Sequence, residues 1–320
     1  MNSSPGTRSA WDWTAALAVV LAGPLLLGIH FLWLTSDVSP SEWRKPARYL
    51  ENELGANDAI VVEPHWNEDP LPHLSDVGSQ VRRQKRVLPA DLQGVERLWL
   101  LSEADRVDRG LERLPFEAGA PDGRSFGDVV VRSLDVPDWL QFEYAFSDHL
   151  ASADVAHVDS DGEVALDCRQ WDGDQNRWPC GERDQFVWVG RTMLMVGGDP
   201  HHCIWAHPPP QGRTLRIRFP DVPLDAALRL RAGLSFEASL SKRGTPVELS
   251  IAVDGERRLS RTFAPKKTSW PAMRVDTSGS TGRRADVTVR VRSEKVFERY
   301  FCFDGWVLDE TSARRLSGKR

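Results

Sequence analysis

The chain has 320 residues, room for two ordinary domains with proper cores, and its formal charge of −5 leaves no footprint for nucleic acid. Thirteen tryptophans stand against three tyrosines, and the four cysteines all lie in the second half without CxxC spacing. That cysteine pattern suits two disulfides in an oxidising compartment better than a zinc site, and no P-loop, Gly-x-Ser-x-Gly or His-Glu-x-x-His motif points to catalysis or a cofactor.

A short tail over residues 1–13 precedes an uncharged apolar run, Thr14 to Thr35. As a helix rising 1.5 Å per residue it would span about 33 Å, the hydrocarbon thickness of a bilayer. Trp11, Trp13 and Trp33 flank it, where indoles favour the headgroup region. The run is longer than a signal-peptide core and no small-x-small site comes after it, so a retained transmembrane helix is expected. Arg44, Lys45 and Arg48 after the span would place the large C-terminal part in the cytoplasm by charge alone. Long domains translocate largely regardless of such charge, and the cysteines favour an extracytoplasmic C-terminal part of a single-pass membrane protein.

Residues 41–136 read as a small α/β domain. Ser41 to Pro46 opens a helix, and Ala47, Leu50 and Leu54 continue it at helical spacing. Asp58-Ala59-Ile60-Val61-Val62 is a buried-type strand. A polar loop with Trp66 and the basic run Arg82 to Arg86 comes next, and Val95 to Leu101 and Asp128 to Arg132 are further strands. This order predicts parallel strands with a helical cover.

The stretch SEWRKPARYLENELGANDAIVVEPHWNEDPLPHL, with VERLWLLSEADR beyond it, resembles the extracytoplasmic C-terminal tail of multi-span glycosyltransferases of the protein-mannosyltransferase type, which use polyprenyl-phosphate sugars. The likeness covers the span and residues 41–134. In that family the catalytic acid lies in a loop after the first of many spans. This chain has no counterpart to that loop, so the resemblance implies a tail without the enzyme and a multi-span glycosyltransferase as a partner.

Residues 150–310 read as an all-β sandwich. Leu215, Ile217 and Phe219 alternate with arginines, as do Leu228 and Leu230; Val247 to Val253 and Val287 to Val291 repeat the one-faced pattern, and Asp254-Gly255 marks a hairpin. In strand count and tryptophan content the segment resembles the galactose-binding-like, jelly-roll sandwiches common in carbohydrate-binding modules. The fold class is therefore α+β: a transmembrane helix, a small α/β domain and a jelly-roll-like sandwich, with residues 311–320 as a basic disordered tail. First and last strands are neighbours in a jelly roll, which favours Cys203–Cys302 with a local Cys168–Cys180 bridge among the three possible pairings.

The bridged loop holds the candidate glycan site: Trp171 and Trp178 as stacking platforms, with Asp172, Asp174 and Asn176 reaching sugar hydroxyls. Those three polar residues also resemble the first half of a calcium loop, but Arg177 and Arg183 stand where Gly and Glu belong, so no metal is assigned. His201, His202, Cys203 and His207 form the densest set of metal-type side chains. On a strand His202 would point away from His201 and Cys203, and a structural role is expected. Trp188 and Trp205 are expected in the sandwich core. The reading is a non-enzymatic, membrane-anchored protein that binds glycan or assists a cell-envelope glycosyltransferase. The alternatives are an envelope polysaccharide-acting enzyme and a purely structural envelope protein.

Overall fold

The computed structural model describes residues 22–28, 38–119, 122–168, 170–181, 187–266 and 269–317. Of the apolar run, residues 22–28 are helical with Leu25, Leu26 and Leu27 exposed. The rest of the expected span, like the tail before it, lies outside the described residues. Among the described residues no helix is long and apolar enough to cross a membrane.

The first unit is a five-stranded mixed sheet between two helices. Helix α1 (Arg44–Glu53) buries Ala47 and Leu50 on one face, and Trp43 ahead of it is fully buried. Strands β1 (Asp58–Glu63), β2 (Val81–Arg82), β3 (Arg97–Glu103), β4 (Asp122–Phe126) and β5 (Val129–Asp135) lie in the order β2-β1-β3-β5-β4. Ile60, Val62, Trp99 and Leu101 face α1. Ala59, Val61, Leu98 and Leu100 face the short helix α2 (Val107–Glu112). Gly110 lets α2 sit close, since a Cβ there would stand 2.8 Å from a Leu100 methyl. A sheet covered on both faces explains why β1 is buried along its whole length. β1 runs parallel to β2 and β3, but β5 is antiparallel to β3, contrary to the expected parallel set. The cause is β4, which makes a hairpin with β5 across Gly127 (φ 72°) and sends the chain back.

The sandwich begins before residue 150, at β6 (Tyr144–Ala145). It continues through β7 (Asp154–Val158), β8 (Val164–Asp167), β9 (Arg177–Pro179), β10 (Trp188–Val196), β11 (Asp199–Ala206), β12 (Thr214–Pro223) and β13 (Ala227–Leu234). It closes with β14 (Val247–Val253), β15 (Glu256–Phe263), β16 (Ala272–Asp276), β17 (Arg284–Arg292) and β18 (Phe301–Leu308). One sheet runs β16-β13-β18-β11-β10-β9 with β6 beside β18; the other runs β15-β14-β17-β12-β7-β8. The period-2 residues read from the sequence form the core: Leu215, Ile217, Phe219, Leu249, Ile251, Val287, Val289 and Val291 meet Leu228, Leu230, Phe301 and Phe303. Each such side chain contributes about 1.5–3 kcal/mol by leaving water.

β18 is buried on both faces. Phe301, Phe303 and Val307 point into the sandwich, while Cys302, Trp306 and Leu308 point out beneath the first unit and helix α4 (Glu310–Ser317). This helix replaces the disordered tail expected from residue 311. Ala313 and Leu316, one turn apart, bury against Trp306 and Leu308, and Asp309 accepts the Ser312 N–H as an N-cap. Both disulfides pair as expected, Cys168 with Cys180 and Cys203 with Cys302. A short helix between β13 and β14, α3 (Phe236–Leu240), is capped by Ser235.

Candidate functional site

The two units meet along a cleft built from three merging cavities. The innermost by its lining, about 620 Å³ and bordered by the buried Asp91 and Asp304, shares Arg82, Met193 and His202 with a second of about 900 Å³. The second shares His65, Lys85 and Asp199 with a third of about 560 Å³ at the mouth. One wall is the loop after β1 and the basic run Arg82 to Arg86; the other is the β10–β11 hairpin. That hairpin turns on Gly197 and Gly198, with φ of 66° and 92°, the left-handed geometry of a two-residue connection between paired Val196 and Asp199. It carries Met193 and Met195 into the cleft as exposed apolar side chains. The Lys85 N–H donates to Asp199 Oδ1 at 2.7 Å and ties the walls together.

The mouth lies at the carboxyl ends of β1 and β3. The chain leaves β1 toward β2 on one side and leaves β3 toward β5 on the other. Such a divergence opens a crevice where α/β folds bind ligands. Trp66 stands there, 42% exposed, and it is the one exposed tryptophan among the described residues. The His65 ring meets it edge-on at 4.8 Å, and the Arg106 guanidinium lies 5.6 Å from its centroid. Arg106 is itself fixed by Glu103 at 2.8 Å, and Arg113 pairs with Glu63. Burial, then the positive charge of Arg113, lowers the His65 pKa, so its ring is neutral near pH 7.

The deep end gathers acids. Asp304 is pushed up to about 8, first by burial and then by the charges of Asp148 and Asp91, against the N–H of Gly305. Asp91 is pushed up to about 6 by burial, opposed by the Leu88 N–H and by Arg82 and Arg231. Arg191 is held by the carbonyls of Ser147 and Asp148. The cleft thus offers an apolar strip, an indole platform and both signs of hydrogen-bonding side chain, a combination suited to polyhydroxylated ligands.

The residues proposed from sequence sit elsewhere. Trp171 and Trp178 meet edge-to-face at 6.0 Å, pack against the sandwich core and are half-buried; Trp178 Nε1 donates to the Leu150 carbonyl at 2.9 Å. Asp172 Oδ1 accepts the N–H groups of Asp174 and Gln175 and closes a tight turn, which leaves Asp174 and Asn176 exposed at its tip. None of the five lines the cleft. Trp188 and Trp205 stack at 5.2 Å on the outer side of their sheet, apart from the inter-sheet core that Val189 and Ile204 join. Cys203 is consumed by its disulfide, and His201 stacks on Trp270 at 5.0 Å. Burial lowers the His201 pKa to about 4. Among the described residues one trio of metal-type side chains converges, His157 with Cys168 and Cys180, and its two sulfurs are bonded to each other. Trp66 was readable as the aromatic of a Pro-rich loop leaving a buried strand, but the cleft it borders forms only where the second unit stands opposite.

No known family profile matches the chain, and no curated protein matches it in sequence. Among solved structures it is similar to CBM51 from Clostridium perfringens GH95 in complex with methyl-galactose, with 9% identity over 54% of this chain and 99% of that one, at a TM-score of 0.28. It is also similar to CBM51-2 and INT domains from Clostridium perfringens ZmpB in complex with GlcNAc, at 14% identity over 55% of this chain and 42% of that one, TM-score 0.30. A third is TmCBM61 in complex with beta-1,4-galactotriose, at 12% identity, 52% and 90% coverage, TM-score 0.23. Likenesses this shallow assign no ligand to the present chain.

Proposed function

We propose that this protein is a membrane-anchored, extracytoplasmic glycan-binding protein whose ligand lies along the cleft between its two units. The observation that carries this reading is Trp66, exposed at the crevice beyond β1 and β3 and flanked by side chains that hydrogen-bond hydroxyls. A sugar ring has one apolar C–H face and a polar rim, so it stacks on an indole while Arg, Asp and His reach its edge. The two disulfides support an oxidising compartment, and the apolar run of residues 14–35 supports the anchor. The accessory role beside a multi-span glycosyltransferase rests on the sequence resemblance of residues 41–134, and co-purification with such an enzyme tests it.

A glycan array probed with the full-length protein in detergent tests the main reading. At least one glycan class should bind, and Trp66→Ala should weaken it about tenfold or more, as loss of one stacked ring implies. No binding to any glycan, or equal binding by the variant, would remove the reading.

One observation favours a second reading, in which the deep end also cleaves the bound chain. Asp91 and Asp304 line one cavity with their carboxyls raised toward the protonated form, as a general acid requires. Release of reducing ends from a bound glycan, abolished by Asp304→Asn, is the result that reading demands.

A further inference from the structure

The outer face of the seven-stranded sheet is covered by the first unit and α4, whereas the outer face of the six-stranded sheet carries no further element among the described residues and is rich in arginine. Along β12 and β17 the outward residues include Arg216, Arg290 and Arg292, and Arg216 lies directly across the strand pair from Arg290. Like charges directly opposed on neighbouring strands destabilise a sheet. Arg216 has Asp154 at 3.4 Å. The guanidiniums of Arg290 and Arg292, both exposed, and of Arg257 from β15 have no ion-pair or hydrogen-bond partner among the described residues. All three line one groove of about 360 Å³. In a chain of net charge −5 this is not a general excess of base.

The same groove contains Glu248, whose carboxylate accepts from Ser260, and the turn acids Asp159 and Asp161. These carboxylates would repel a polymer with a charge on every unit pressed close, such as nucleic acid or a flat anionic membrane. They would accept hydroxyls. Arg290 and Arg292 stand two residues apart on one strand, about 7 Å, and each guanidinium can take a carboxylate or sulfate through two parallel hydrogen bonds. We infer that this groove is a second binding surface, separate from the cleft, for an acidic polysaccharide whose spaced anionic groups meet Arg257, Arg290 and Arg292 and whose hydroxyls meet Glu248.

The test is affinity electrophoresis of the full-length protein through gels containing hyaluronate or unsulfated chondroitin, each with its carboxylate on every second sugar, or neutral dextran, with duplex DNA as a competitor. The parent should be retarded by at least one acidic polymer and not by dextran. R290A/R292A should weaken that retardation at least tenfold with an unchanged circular dichroism spectrum, while R290K/R292K falls between. Trp66→Ala should be retarded like the parent, which separates this surface from the cleft. The inference is overturned if the double alanine variant runs like the parent, if dextran retards the parent equally, or if DNA competes as well as the acidic polysaccharide.

Discussion

Two loops of this protein carry tryptophan in polar surroundings, and they use it in opposite ways. The bridged loop around residues 168–180 hangs over the open edge of the sandwich, whose apolar interior draws Trp171 and Trp178 down. The loop after β1 emerges at a strand end ringed by Glu63, Glu103, Arg106 and Arg113, which pair among themselves and present Trp66 with charged groups. Local composition is similar; the surface beneath each loop differs. A polar neighbourhood in sequence therefore does not predict exposure, whereas the charge pairing under a loop does.

The contrast can be broken most severely through stability. Trp178→Ala should cost about 3 kcal/mol in a denaturant melt, the lower end for truncating a core aromatic, and Trp66→Ala less than about 0.5 kcal/mol, as for a surface change. Equal losses would show that both loops are structural. Cys168→Ser/Cys180→Ser should cost somewhat less, about 2–3 kcal/mol for a closed loop of this size, against about 4–5 kcal/mol for Cys203→Ser/Cys302→Ser, which are 99 residues apart. The same melts report both, and the reverse order would contradict the loop-closure account.

A smaller effect concerns pH. The Asp304 pKa is about 8 in the folded protein against an ordinary value of 3.8. Between those values the native state holds a proton that the unfolded chain has released. Stability contributed by this group therefore falls as pH rises from about 4 to about 8 and is level above that. Asp304→Asn should flatten this slope and melt higher than the parent at pH 8.5. Trp66→Ala should leave the slope unchanged, since the indole lies at the mouth and the acids at the deep end. A parent whose melting temperature rises steadily from pH 5 to pH 8 would contradict the burial of Asp304.

Much of this architecture was legible locally. One-faced alternation in β12, β14 and β17 announced the sandwich, and the buried-type run Asp58 to Val62 announced β1. Of the disulfides, Cys203–Cys302 came from the likeness to a jelly roll and Cys168–Cys180 from their closeness in the sequence. β4 was not legible, because Asp122 to Phe126 presents no apolar alternation and is largely exposed. Helix α4 escaped because its apolar face is only Ala313 and Leu316, amid arginines that suit solvent. The cleft could not be read at all: Met193, Met195 and Trp66 come together only through packing of residues more than 120 positions apart, for which sequence periodicity carries no signal.

Hydrogen–deuterium exchange of the full-length protein with and without a glycan identified on the array compares the two loops in one measurement. Binding in the cleft should slow exchange at residues 64–70, 82–86 and 193–202 and leave 170–178 as it was. Protection confined to 170–178, with the cleft unchanged, would contradict the assignment of the site to Trp66.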